Sequence, residues 1–249
     1  MRFLKIVGVL IGILLLTFVV GLVLAALGLS THPSLALYAL LASQLVMSIA
    51  TYFIIRKKKK ETSGEYVKTR GFTDGSWKMI FIGLATLGLG NLIISAVMKI
   101  FENTLLVQMS LDMVEQATAA NNTLEQVIVF IAIVIIAPIM EEYLFRGYVF
   151  EETHKIYGVG LTIFLNGLLF GLYHMNLLQT VNTFILGMVL AAVYYYKQNI
   201  TDAIIVHLVN NLGAMITAFF PQYAVYMGWV LIICIFIGAK FFYDIVKNK

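Results

Sequence analysis

The chain has 249 residues, of which 61% are hydrophobic and only 12% charged, and its mean hydropathy is +0.92. A soluble chain of this size carries about twice that charged share. A water-soluble enzyme and a nucleic-acid-binding domain are therefore excluded, and the net charge of +4 reflects lysines and arginines flanking apolar runs. The single cysteine, Cys234, lies among isoleucines with no disulfide partner and no metal-ribbon spacing, and reads as a small apolar filler.

A membrane-spanning helix needs about 20 mostly apolar residues. In chain order the sequence predicts eight, over 5–29, 34–55, 77–98, 126–152, 159–177, 179–196, 200–219 and 223–246. This is an all-α polytopic membrane helix bundle in one membrane domain. Residues 1–125 hold N-terminal spans and loops, 126–219 a catalytic core and 220–249 the last span. The first span has the basic start of a signal peptide, but its apolar run exceeds the usual ~7–15 residues, so it reads as a span. The second stops at Arg56 and Lys57 to Lys60, and the polar, glycine-bearing stretch 61–76 reads as a loop. The segment 99–125 mixes Leu105, Leu106, Val107 and Met109 with Glu102, Asp112 and Glu115, the pattern of an interfacial amphipathic helix. Asn122, with Glu125 three residues on, forms a capping signal for the fourth span. Tyr194, Tyr195 and Tyr196 close the sixth as interfacial anchors.

Lysine and arginine set the orientation. With eight crossings and both termini cytoplasmic, nearly every basic residue outside the spans, from Arg2 and Lys5 to Lys247 and Lys249, falls on the cytoplasmic side, and Lys99 alone stays outside.

Ionisable groups inside spans are costly and point to function. The fourth span carries Pro138, Glu141, Glu142 and Arg146. Glu142 and Arg146 are four apart on one face, acid first, the favourable order for a helical ion pair. Glu141 is rotated by about 100° and is left as the free carboxylate. Pro138 has no amide hydrogen, so the Val134 carbonyl loses its usual partner and the helix is expected to kink. The fifth span bears Asn166, Phe170 and His174 on one stripe, and the seventh bears His207 and Asn211 on one face, with Asn210 beside them as interhelical glue. If the fourth and fifth spans turn near Tyr157–Gly158, Glu141 and His174 each lie about 16 residues from the turn and share a depth. His207, close to its helix start, is expected a few ångströms nearer the cytoplasm.

One carboxylate, two imidazoles and an amide can hydrolyse a peptide bond. The carboxylate and one His activate water, and the other His with the amide stabilises the oxyanion. Glu141, His174 and His207 also form a candidate zinc set with an open position. The residues alone leave zinc and glutamate-activated water equally open. Neither an HExxH helix nor a GxSxG elbow is present.

In order, Glu141-Glu142-x-x-x-Arg146, Phe170-x-x-x-His174 and His207-x-x-x-Asn211 resemble the CAAX-protease and bacteriocin-processing (Abi) family of intramembrane proteases, over residues of about 126–219. The first three spans carry no matching motif. The resemblance implies Glu141 with His174 as the water-activating pair and His207 with Asn211 as the oxyanion side, supported by Glu142, Arg146 and Phe170. Its members have been described both as metalloproteases and as metal-independent glutamate proteases. It also implies a membrane-associated or prenylated CaaX-type substrate, or a bacteriocin or signalling peptide. Short loops and the lack of eukaryotic targeting signals suggest a bacterial plasma membrane. The competing readings are a polytopic transporter and a bacteriocin-immunity or signalling partner that acts by binding.

Overall fold

The structure is a computed structural model that describes residues 2–27, 34–101, 103–118 and 120–248. The expected end of the first span at 28–29, Glu102 and Lys249 lie outside the described residues. The described residues form nine helices and no strand: α1 (Arg2–Ala26), α2 (Leu35–Glu61), α3 (Lys78–Phe101), α4 (Leu105–Thr118), α5 (Thr123–His154), α6 (Val159–Tyr173), α7 (Leu177–Lys197), α8 (Ile200–Phe219) and α9 (Ala224–Lys247). Seven are long and apolar enough to cross a membrane, with α6 as a shorter apolar helix. The protein is an integral membrane helix bundle, and helix α4 occupies the segment expected to be amphipathic.

Helix α6 departs from expectation. Its 15 residues span about 22 Å, short of a ~30 Å hydrocarbon core. It ends at Tyr173 rather than at 177 because His174 folds back as the C-cap, its Nδ1 2.8 Å from the Phe170 carbonyl oxygen. Met175 then takes φ +50°, and Asn176 starts α7 by accepting a hydrogen bond from the Gln179 amide.

Helix α3 packs along α7, α8 and α9, α6 packs on α7, and α1 lies on α2. The α3–α8 contact is close at Gly83, where a Cβ would stand 2.7 Å from the Val206 carbonyl oxygen. At the start of α5, Asn122 accepts from the Glu125 amide while Glu125 takes hydrogen bonds back from Asn121 and Asn122, the expected reciprocal cap. Ser34 also donates to Glu125, tying α2 to this cap.

The 61–76 loop is not a loose connector. Asn199 accepts from the Arg70 amide and donates to the Gly71 carbonyl, Ile200 donates to the Lys68 carbonyl, and Ser76 donates to the buried Asp202. Tyr194 is not an interfacial anchor: it is buried, donates to Glu151 and accepts from the Lys68 amide. Tyr66 is likewise buried and donates to Glu152; burial and that carboxylate push its phenol far above the ordinary tyrosine range.

Candidate active site

Helix α5 carries the acids between two π-helical turns, Ala132–Ile136 and Phe145–Phe150. The first explains what becomes of the proline. The Ala137 amide donates to Ala132 rather than to Ile133, and Pro138, next in line, has no amide hydrogen. The Ile133 carbonyl thus loses its main-chain donor, and Asn211 Nδ2 on α8 supplies one at 2.9 Å. The orphan created by the π turn is therefore Ile133, one residue before the expected Val134. At the second turn, Asn166 Nδ2 on α6 donates to the Phe145 carbonyl at 2.9 Å. An asparagine from a neighbouring helix braces each side of the α-helical stretch that bears Glu141 and Glu142. Such π turns gather at functional sites.

Glu142 and Arg146 are fully buried and His207 nearly so. A single oxygen, Glu142 Oε1, accepts from Arg146 Nη1 at 3.0 Å and pairs with His207 Nδ1 at 2.8 Å. Arg146 Nη2 donates to the Gly187 carbonyl at 3.0 Å, and the guanidinium carbon lies 4.8 Å from the centre of the Phe170 ring. Phe170 is a hub: edge contacts join it to Phe145, His174 and His207, with ring centroids 4.8, 5.0 and 5.6 Å away. Leaving any one charge of this cluster unpaired would cost several kcal/mol, about 3–5.

With Nδ1 held by Glu142, His207 turns Nε2 to Glu141, 3.7 Å from its Oε2. That distance is too long for a direct hydrogen bond and short enough for one oxygen atom to bond both. Glu141 makes no hydrogen bond among the described residues, so its carboxylate is uncommitted. The depth mismatch expected for His207 is absent, since the ring reaches both acids. His174 joins the site through Phe170. Its Nδ1 faces a carbonyl, which only accepts, so that nitrogen carries the hydrogen and Nε2 is the free basic atom. Asn211 stands one turn beyond His207 with one amide hydrogen spent on Ile133, and Asn210 is buried with no partner for its amide nitrogen among the described residues. Tyr173, which no sequence signal marked, contacts the Phe145 ring and lies within electrostatic reach of Glu141.

Among the described residues no three His, Cys, Asp or Glu side chains are grouped to hold a metal ion. Glu141 and His207 are close, but His174 does not complete a set with them. Of the two readings left open by the sequence, the candidate zinc set of Glu141, His174 and His207 is not drawn together in this arrangement.

A family model described as type II CAAX prenyl endopeptidase Rce1-like matches residues 123–213. Over this segment, a little over a third of the chain, the sequence is similar to that family. The match runs from the first residue of α5 to just past Asn211 and so spans both π turns, the acid pair and the two histidines of the site. Searches of curated proteins and of solved structures return no match.

Proposed function

We propose that the protein hydrolyses a peptide bond near the end of a membrane-associated, lipidated peptide or protein, with Glu141 as the base. The observation that carries this is the uncommitted Glu141 carboxylate facing His207 Nε2 at 3.7 Å, beside a buried network that fixes the histidine ring. His174 Nε2 orients a water toward the substrate carbonyl. As the water oxygen attacks, its proton passes to Glu141. The carbonyl oxygen gains negative charge, which is stabilised by His207, carrying a hydrogen on each ring nitrogen in this step with Nδ1–H held by Glu142 and Nε2–H turned to the oxygen, and by the remaining amide hydrogen of Asn211. The C–N bond then breaks, and Glu141 returns the proton to the leaving nitrogen. Glu142, Arg146 and Phe170 position these groups without touching the substrate. The basic start of α1 and the basic end of α2 support an orientation with the N-terminus in the cytoplasm, and an even number of crossings brings the C-terminus to the same side, in a bacterial plasma membrane.

The test is a panel of prenylated, acylated and unlipidated C-terminal peptides incubated with purified protein in lipid nanodiscs, with products read by mass spectrometry. Wild-type protein is expected to cleave a lipidated member, and Glu141→Ala and His174→Ala to lose that cleavage. Unchanged cleavage by Glu141→Ala would overturn the reading.

A further inference from the structure

About 16 Å along α5 from Glu141, helices α1, α2 and α5 enclose a cavity of about 380 Å³ whose walls include Arg2, Lys5, Lys58, Tyr148, Glu152 and Lys155. Its donors outnumber its acceptors. Glu152 already takes hydrogen bonds from Lys58 at 3.2 Å, Lys155 at 2.6 Å and Tyr66 at 2.9 Å. Lys58 also pairs with Glu61 at 3.3 Å. Arg2 and Lys5 make no ion pair among the described residues, and Lys58 and Lys155 each keep N–H groups that one or two carboxylates cannot occupy. Tyr148 is only 6% exposed, lines the cavity and makes no hydrogen bond among the described residues. A nearly buried phenol without a partner, next to two unpaired cations, asks for an oxygen-rich anion.

The surroundings say which anion. Beyond Lys5, α1 turns Ile11, Leu15 and Leu22 outward, at least half exposed. Helix α2 turns Leu45, Ile49 and Tyr52 outward, about half exposed or more, before its run of lysines. The cavity thus lies where the basic ends of two lipid-facing helices meet, the level of lipid headgroups. A phosphate that carries acyl chains fits both the cavity and the apolar faces leading away from it, whereas a free phosphate uses the cavity alone. We propose that this cavity binds the phosphate of an anionic membrane lipid.

The experiment uses the full chain in detergent, with phosphatidylglycerol, phosphatidylcholine or inorganic phosphate added. Retained lipid is counted by native mass spectrometry, and the melting temperature is followed. Phosphatidylglycerol is expected to be retained and to raise the melting temperature, while phosphatidylcholine and inorganic phosphate do neither. Arg2→Gln with Lys5→Gln should weaken phosphatidylglycerol binding about thirty-fold. Tyr148→Phe, which only removes a hydroxyl, should weaken it several-fold and carries the test if the double variant fails to fold. Lys59→Gln with Lys60→Gln removes the same charge outside the cavity and should leave binding within about two-fold of wild type. Equal retention of the two lipids, an equal loss in both charge-removal pairs, or the same stabilisation by inorganic phosphate would each overturn the assignment.

Discussion

His207 Nε2 and Glu141 Oε2 stand 3.7 Å apart, so neither atom is spent on the other and one oxygen atom set to the side can hydrogen-bond to both. Glu141→Gln keeps the size and removes the base. Cleavage should fall by about 10²–10⁴-fold, the usual worth of a positioned general base. Because Glu141 makes no hydrogen bond among the described residues, the melting temperature should stay within about 2 °C of wild type. A rate loss that came only with unfolding would remove Glu141 from the chemistry.

Glu142, the adjacent acid, should behave differently. Its Oε1 serves both Arg146 and His207 in a fully buried site. Glu142→Ala strands the guanidinium, at a cost of about 3–5 kcal/mol, visible as a lower melting temperature and poor yield. Glu142→Leu combined with Arg146→Met removes both charges and should recover most of that stability. It should not recover cleavage, since His207 Nδ1 still lacks its acceptor. Restored cleavage in the double variant would show that the histidine needs no anchor.

The contrast between these acids was readable from sequence, because i, i+4 spacing is a local property and both partners of the Glu142–Arg146 pair lie on one helix. The Asn122–Glu125 cap was legible for the same reason. What escaped was tertiary. The π turns depend on donors from α6 and α8. The early stop of α6 is the local exception, made by His174 reaching back to the Phe170 carbonyl of its own helix. Counting residues from the start of α8 put His207 at the wrong depth, because helix tilt and the register between helices do not appear in a single sequence. Tyr194 carried the signature of an interfacial anchor, yet the folded 61–76 loop covers it.

Asn211 has a bracing task that can be separated from any contact with substrate. Asn211→Leu leaves the Ile133 carbonyl without a donor, which should cost about 1–3 kcal/mol. Amide hydrogen exchange across residues 132–141 should speed up in parallel. If cleavage falls while exchange there is unchanged, the asparagine acts on the substrate alone.

The donor arrangement also bears on metal dependence. With no three-donor group among the described residues, activity in excess chelator is expected to stay within about two-fold of the untreated enzyme, well below the effect of losing a catalytic zinc. Metal analysis of active protein should give far less than one equivalent. Activity lost to chelator and restored by zinc would mean that His174 moves toward Glu141 and His207 when the metal binds.

Gly187 tests whether packing alone can disable the site. A Cβ there would lie 2.9 Å from the Gly167 Cα and 3.0 Å from the Phe170 ring. The first contact is backbone and cannot yield without moving α6 from α7. The second presses on the ring that touches both histidines and Arg146. Gly187→Ala should therefore cost about 1–3 kcal/mol of stability through overpacking. It should also lower kcat by about 10–100-fold, because a misplacement of about 1 Å is enough to spoil catalytic geometry. KM should change much less, since no group that binds substrate is removed. Gly160→Ala, on the facing helix α6 where a Cβ meets open space, is the control and should leave both constants unchanged. A Gly187→Ala enzyme with normal kcat would mean that Phe170 can shift without disturbing either histidine, and its place at the centre of the site would then have no catalytic consequence.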